Sequence, residues 1–158
     1  MSLIEFPIVI SYSQLSVFDR SLDRPFNDWT DRHVAQGFSW RPGSVAFGTI
    51  AEGGRHLVTV RVVGDDSELA ANAIRVIDVP FEIPAGGTIG VGSISDSLPL
   101  QLPHGTYQLR FEYYDRGNSP VTRIRLSFRR DDNPRFEVVR ADSELHPSKD
   151  LQLTASPA

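Results

Sequence analysis

Four histidines, His33, His56, His104 and His146, are the side chains best suited to acid–base or metal chemistry near neutral pH. No two stand at i,i+2 or i,i+4, so no metal-binding pair is written locally. Each is read as a surface residue. Carboxylates are densest at Asp19, Asp23, Asp28 and Asp31. Such oxygens suit calcium, but their spacing is not that of an EF-hand loop. Two carboxylates could also serve glycoside hydrolysis, yet no groove of interleaved aromatics accompanies them. Gly86-Gly87-Thr88-Ile89-Gly90-Val91-Gly92 is glycine-rich. A phosphate-cradling loop should open a helix, whereas this one runs into strand-like sequence, so it reads as turn plus strand. Gly90-Val91-Gly92-Ser93-Ile94 only approaches a G-x-S-x-G nucleophile elbow. There is no cysteine, which removes thiolate zinc sites and Cys nucleophiles. The one lysine, Lys149, sits in an aperiodic C-terminal stretch, a poor place for Schiff-base chemistry. The residue types predict no catalytic residue, no metal and no cofactor: a protein that is not an enzyme.

Elements that could position a site are mostly strands. Val58, Val60 and Val62 alternate with Thr59 and Arg61. Tyr107, Leu109, Phe111 and Tyr113 alternate with Gln108, Arg110 and Glu112, and Ile124, Leu126 and Phe128 alternate with Arg123, Arg125 and Ser127. Period two means one face in and one face out, a pattern that suits antiparallel sheets. Further strands are expected over residues 4–18, with Pro7 breaking or bending the run, and over 44–51, 74–83, 88–94, 98–102 and 136–140. Glu52-Gly53-Gly54-Arg55 reads as a tight hairpin. Ala85-Gly86-Gly87 and Arg116-Gly117-Asn118 mark two more connections. A short helix is expected over Asp31–Gln36, capped by Thr30 and stopped by Gly37, and a second over Ser67–Asn72. Phe26, Trp29, Phe38 and Trp40 gather around the first helix and are read as packing that fixes it to the sheets. The fold class is all-β: an antiparallel β-sandwich with one or two short helices. Residues 1–140 form a single domain, and 141–158, without period, are expected to be a flexible C-terminal tail.

Charge narrows the function classes. With 16 basic and 20 acidic residues the net charge is −4, which argues against direct nucleic-acid binding through phosphate neutralisation. The signs are segregated along the chain. Residues 64–82 carry Asp65, Asp66, Glu68, Asp78 and Glu82 against Arg75, while 110–130 carry six arginines against Glu112 and Asp115. The segregation fits either solvated faces or a bipolar molecule whose acidic side meets a basic partner. No apolar run of transmembrane length occurs and no signal peptide is read at the start, so the expected location is cytoplasmic.

Ser11-Tyr12-Ser13-Gln14-Leu15-Ser16-Val17-Phe18, then Asp28-Trp29-Thr30-Asp31 and Gln36-Gly37-Phe38, resemble the opening of the ComJ family in type and spacing. Val79-Pro80-Phe81 and Leu102-Pro103-His104-Gly105-Thr106-Tyr107-Gln108-Leu109 resemble two later segments, so the likeness covers roughly residues 9–115. After about Tyr114 the chain departs into an Arg-rich strand and a tail. The resemblance implies a competence-associated inhibitor that binds and blocks a bacterial DNA nuclease, or an immunity protein against a nuclease toxin. The alternative is a β-sandwich module for carbohydrate or lipid, since fold does not fix function. An acidic inhibitor would meet the basic cleft of a nuclease through Asp23, Asp28 and Asp31 or through Asp65, Asp66 and Glu68. Tyr12 and Trp29 are expected to be structural anchors.

Overall fold

The computed structural model describes residues 3–64 and 69–158. Among the described residues eleven strands form two sheets. The chain begins with β1 (Leu3–Ile10) and β2 (Gln14–Asp19), then α1 (Asp31–Gln36), β3 (Phe38–Arg41) and β4 (Ser44–Gly48). Next come β5 (Gly54–Val63), β6 (Ala73–Ile83), β7 (Thr88–Gly92) and β8 (Ser97–Gln101). Finally β9 (Gly105–Tyr114), β10 (Thr122–Arg130) and β11 (Glu137–Arg140) complete the body. One sheet has the order β1-β5-β10-β9-β6-β11 and the other β3-β4-β2-β7-β8. Their inner faces share one core. Phe47 of β4 stacks on Phe111 of β9 across it, with ring centroids 4.6 Å apart. The alternating residues are indeed its substance: Val58, Val60, Tyr107, Leu109, Phe111, Ile124, Leu126 and Phe128 are all essentially inaccessible. Each contributes about 1.5–3 kcal/mol by leaving water.

Several local expectations change in three dimensions. β5 and β10 run parallel, so the larger sheet is mixed. Glu52–Arg55 is not a hairpin, because β4 and β5 lie in different sheets and the turn carries the chain between them. Pro7 does not break its strand. Val9 points both backbone groups away from β5, donating to Asp96 Oδ2 (2.7 Å) and accepting from Ser93 Oγ (2.6 Å). Pro7, two residues earlier, faces the same open side, where its missing N–H interrupts no ladder. The break falls instead at Ser11–Ser13. The second candidate helix lies partly outside the described residues, and its described end, 69–72, is loop and turn.

The segregated charges meet in space, because β6, β9 and β10 are neighbours. Arg110 makes two bonds of 2.8 Å to Asp78. Arg125 holds the fully buried Glu112 through bonds of 2.6 and 2.9 Å. The Asp78–Arg110 pair thus joins the acidic segment to the basic one, and the Glu112–Arg125 pair lies within the basic one. The Val79–Phe81 and Pro103–Leu109 segments also meet. Phe81 is in register with Tyr107 and Val79 with Leu109, and the Tyr107 hydroxyl donates to the Pro103 carbonyl (2.7 Å).

Residues 141–158 are irregular, but they are laid against the body rather than free of it. Leu145 is buried against the helix stop, its methyls 3.1 Å from where a Cβ on Gly37 would stand. His146 N–H donates to Ala35 O (2.8 Å), and Gln152 exchanges bonds with Gln36. Asn27 and Pro157 form an isolated bridge. The missing period arises because this strap is held by side-chain and single backbone bonds, which leave no repeating pattern.

Candidate partner-binding site

Two turns far apart in sequence meet at one end of the sandwich. Tyr12 and Ser13 both adopt the left-handed conformation, with φ of 56° and 55°. That conformation costs an L-residue about 1–2 kcal/mol. Ser13 N–H donates to Glu52 O (2.9 Å) and Ser13 O accepts from Thr49 N–H (2.8 Å), which fixes the reversal. Tyr12 is thereby left 75% exposed. Gln14 opens β2, and its Oε1 accepts the indole N–H of Trp29 at 3.1 Å. A cavity of about 390 Å³ opens here, lined by Tyr12, Trp29, Val34, Ile50, Arg75 and Glu144 among others.

The helix beside the cavity is short and strongly capped. Thr30 Oγ1 accepts the His33 N–H, and the Thr30 N–H donates to His33 Nδ1 (3.0 Å), a reciprocal capping box. Nδ1 is therefore the acceptor, so Nε2 carries the proton that it donates to Thr154 O (2.9 Å). Gly37 stops the helix at φ 89°. The helix is inverted in polarity. His33 and Gln36 are buried, while Val34 is 61% exposed on the cavity rim. His56 is also buried, between Gly54 O and the Tyr113 hydroxyl. The surface reading of these two histidines is therefore overturned, because each has found partners for both ring nitrogens.

Arg75, 4% exposed, borders the cavity. Its guanidinium binds both carboxylate oxygens of Asp142 (2.6 and 3.1 Å) and the Gly48 carbonyl (2.8 Å). Burial by itself would raise the Asp142 carboxyl. The hydrogen bonds and charge of Arg75, with backbone N–H groups, outweigh that and hold it below the usual carboxylate range. The neighbouring Glu144 is exposed, and its carboxylate forms no hydrogen bond or ion pair among the described residues.

Of the residues singled out in the sequence, Tyr12 is no anchor: the left-handed turn pushes it into solvent. Trp29 is only half-buried and stands edge-on to the His33 ring, with centroids 6.3 Å apart. The four aromatics around the helix disperse. Phe26 meets Phe18, Trp40 meets Phe136, and Phe38 enters the core. Asp23, Asp28 and Asp31 are exposed and form no ion pair among the described residues. Asp65, Asp66 and Glu68 lie outside the described residues. Among the described residues no group of His, Asp and Glu is placed to hold a metal ion. Val34, Arg75 and Glu144 carried no sequence signal as site residues. A six-residue helix is too short to show which face is wet, and Glu144 sits in a stretch without period.

A family model described as Competence protein J (ComJ) matches residues 7–129, which carries the likeness through β10. Among curated proteins, the chain is similar to the DNA-entry nuclease inhibitor of Bacillus subtilis (strain 168). The two are 29% identical over 100 residues, covering 63% of this chain and 74% of that one. Among solved structures it is similar to the crystal structure of ComJ from Bacillus subtilis, described as an inhibitor of the DNA-degrading activity of NucA. The TM-score is 0.70 at 23% identity, over 83% of this chain and 100% of that one. It is also similar to a structure of crocagin biosynthetic gene J, with a TM-score of 0.53 at 18% identity, over 80% of this chain and 96% of that one. These two likenesses concern the fold. No described helix is long and apolar enough to cross a membrane.

Proposed function

The chain belongs to the Competence protein J (ComJ) family, and from that premise we propose that it binds a bacterial DNA nuclease and blocks it, as an inhibitor or immunity protein. The observation that carries this reading is convergence. The Ser11–Phe18 and Asp28–Asp31 segments, separate in sequence, join at the Gln14–Trp29 hydrogen bond beside an exposed tyrosine and an open cavity. Tyrosine and tryptophan are the side chains that most often dominate binding energy at protein interfaces. Inhibition needs no chemistry from this chain, only occupation of the enzyme's DNA-contacting face.

Electrostatics supports the same partner. A nuclease must present basic groups to phosphates, and this chain carries a net charge of −4. Asp28 adjoins Trp29 in sequence and Asp31 stands one helical turn before Val34, and Trp29 and Val34 line the cavity. We assign the contact to this end of the molecule, with Asp23, Asp28 and Asp31 as the steering charges; Asp65, Asp66 and Glu68 form the alternative acidic group. Charge complementarity of this kind acts mainly on association rate and partner choice. The test is titration of the purified protein into the nuclease encoded beside it, with NucA of Bacillus subtilis as a second enzyme. DNA cleavage should fall stoichiometrically. Undiminished cleavage of DNA by both enzymes at large molar excess would sink the reading.

A further inference from the structure

We propose that the cavity beside Tyr12 and Trp29 seats a single arginine side chain from the DNA-contacting face of the nuclease. This rests on the inhibitor reading above and names the chemistry of the contact.

The charge balance around the cavity motivates the assignment. Arg75 is the cation that borders it, and Asp142 neutralises that cation through two hydrogen bonds. Glu144 lines the same space, is exposed, and its carboxylate makes no hydrogen bond or ion pair among the described residues. One positive and two negative groups leave the site with a net negative charge. An unpaired carboxylate beside open space is an acceptor waiting for a cation, and a guanidinium can meet it through two parallel bonds.

The remaining lining suits the rest of an arginine. Tyr12 and Trp29 supply aromatic surface, on which a guanidinium stacks more readily than a lysine ammonium does. Val34, Ile50 and Leu145 supply apolar surface for the methylene stem. A wholly apolar occupant would instead strip water from Glu144 and leave its charge uncompensated. The nuclease face that contacts DNA is where exposed arginines are expected, because phosphates are their usual partners. Glu144 also lies after the 7–129 span of the family match. The wall that gives the cavity its charge is therefore built by a segment outside that match, and it can tune which nuclease is taken.

The experiment measures inhibition of DNA cleavage by the wild-type protein, Glu144→Arg and Glu144→Leu, with a thermal midpoint for each. Glu144 is exposed, so both variants should melt within about 2 °C of wild type, as surface substitutions do. Reversing the charge should weaken inhibition by roughly 30-fold or more, and Glu144→Leu by roughly tenfold. Replacing DNA-face arginines of the nuclease one at a time by alanine should identify one whose loss abolishes the effect of Glu144→Leu, the signature of direct coupling. Inhibition by Glu144→Leu as tight as wild type, or tighter, would overturn the cationic occupant. So would the absence of coupling at every arginine tested. Failure of the wild-type protein to inhibit would overturn the nuclease reading itself, and this proposal with it.

Discussion

Replacing Asp142 by alanine should be the most informative single perturbation of this fold. The substitution leaves the Arg75 guanidinium, 4% exposed, with the Gly48 carbonyl as its remaining hydrogen-bond partner among the described residues. Breaking a buried pair from one side costs about 3–5 kcal/mol, because the remaining charge stays desolvated. At about 2–4 °C per kcal/mol for a chain of this size, the midpoint should fall by roughly 6–20 °C. Urea unfolding followed by tryptophan fluorescence gives the free energy directly. The double variant Arg75→Met/Asp142→Leu removes both charges and should recover most of the loss. The pH dependence has a definite sign. The Asp142 carboxyl is held below its unfolded value, near 3.9. Its contribution is therefore complete above about pH 4 and is lost as pH falls through the folded-state value. Wild type should lose this component on acidification, and the alanine variant has none to lose. A cost below about 1 kcal/mol for Asp142→Ala would refute the reasoning, because a strap that leaves Arg75 open to water makes the pair a surface pair. Deleting residues 141–158 probes the same contact less sharply, since removing the strap also hydrates Arg75.

Three further outcomes follow from particular contacts. Gly90→Ala should destabilise by about 1–3 kcal/mol, because the added methyl would stand 2.4 Å from the Phe18 ring; an unchanged urea midpoint would contradict the packing of β2 on β7. Trp29→Phe should lose only about 1 kcal/mol, the worth of its bond to Gln14, and a loss above 3 kcal/mol by the same assay would restore the fully buried anchor. Burial foremost lowers the His56 pKa, only partly opposed by its bond to Gly54 O. The unfolded chain therefore takes up the proton first, near pH 6.5, and stability should fall as pH drops from there through the folded value. His56→Gln should remove that component between pH 7 and 5; an identical slope in wild type and variant would refute it.

The class of fold was legible because β-strands advertise themselves locally. Val58 and Val60, or Tyr107, Leu109 and Phe111, write their buried face directly into period two, and Thr30 through its hydroxyl and Gly37 through its left-handed backbone frame the helix within one turn. Strand partnership is not local. Nothing around Glu52–Arg55 says that the next strand belongs to the other sheet, or that β5 will lie parallel to β10. The two charge clusters looked like poles, yet register set Asp78 of one against Arg110 of the other, and paired Glu112 with Arg125 inside the second. Part of the candidate site was readable, since Tyr12, Gln14 and Trp29 stand in recognisable segments. Their roles were not, because a left-handed turn decides whether Tyr12 is core or rim, and backbone conformation is invisible in a residue's type. Glu144 and Val34 could be found only in the folded chain. A strap held by scattered hydrogen bonds has no period, and a six-residue helix has too few positions to show one, so only tertiary packing placed them beside Tyr12.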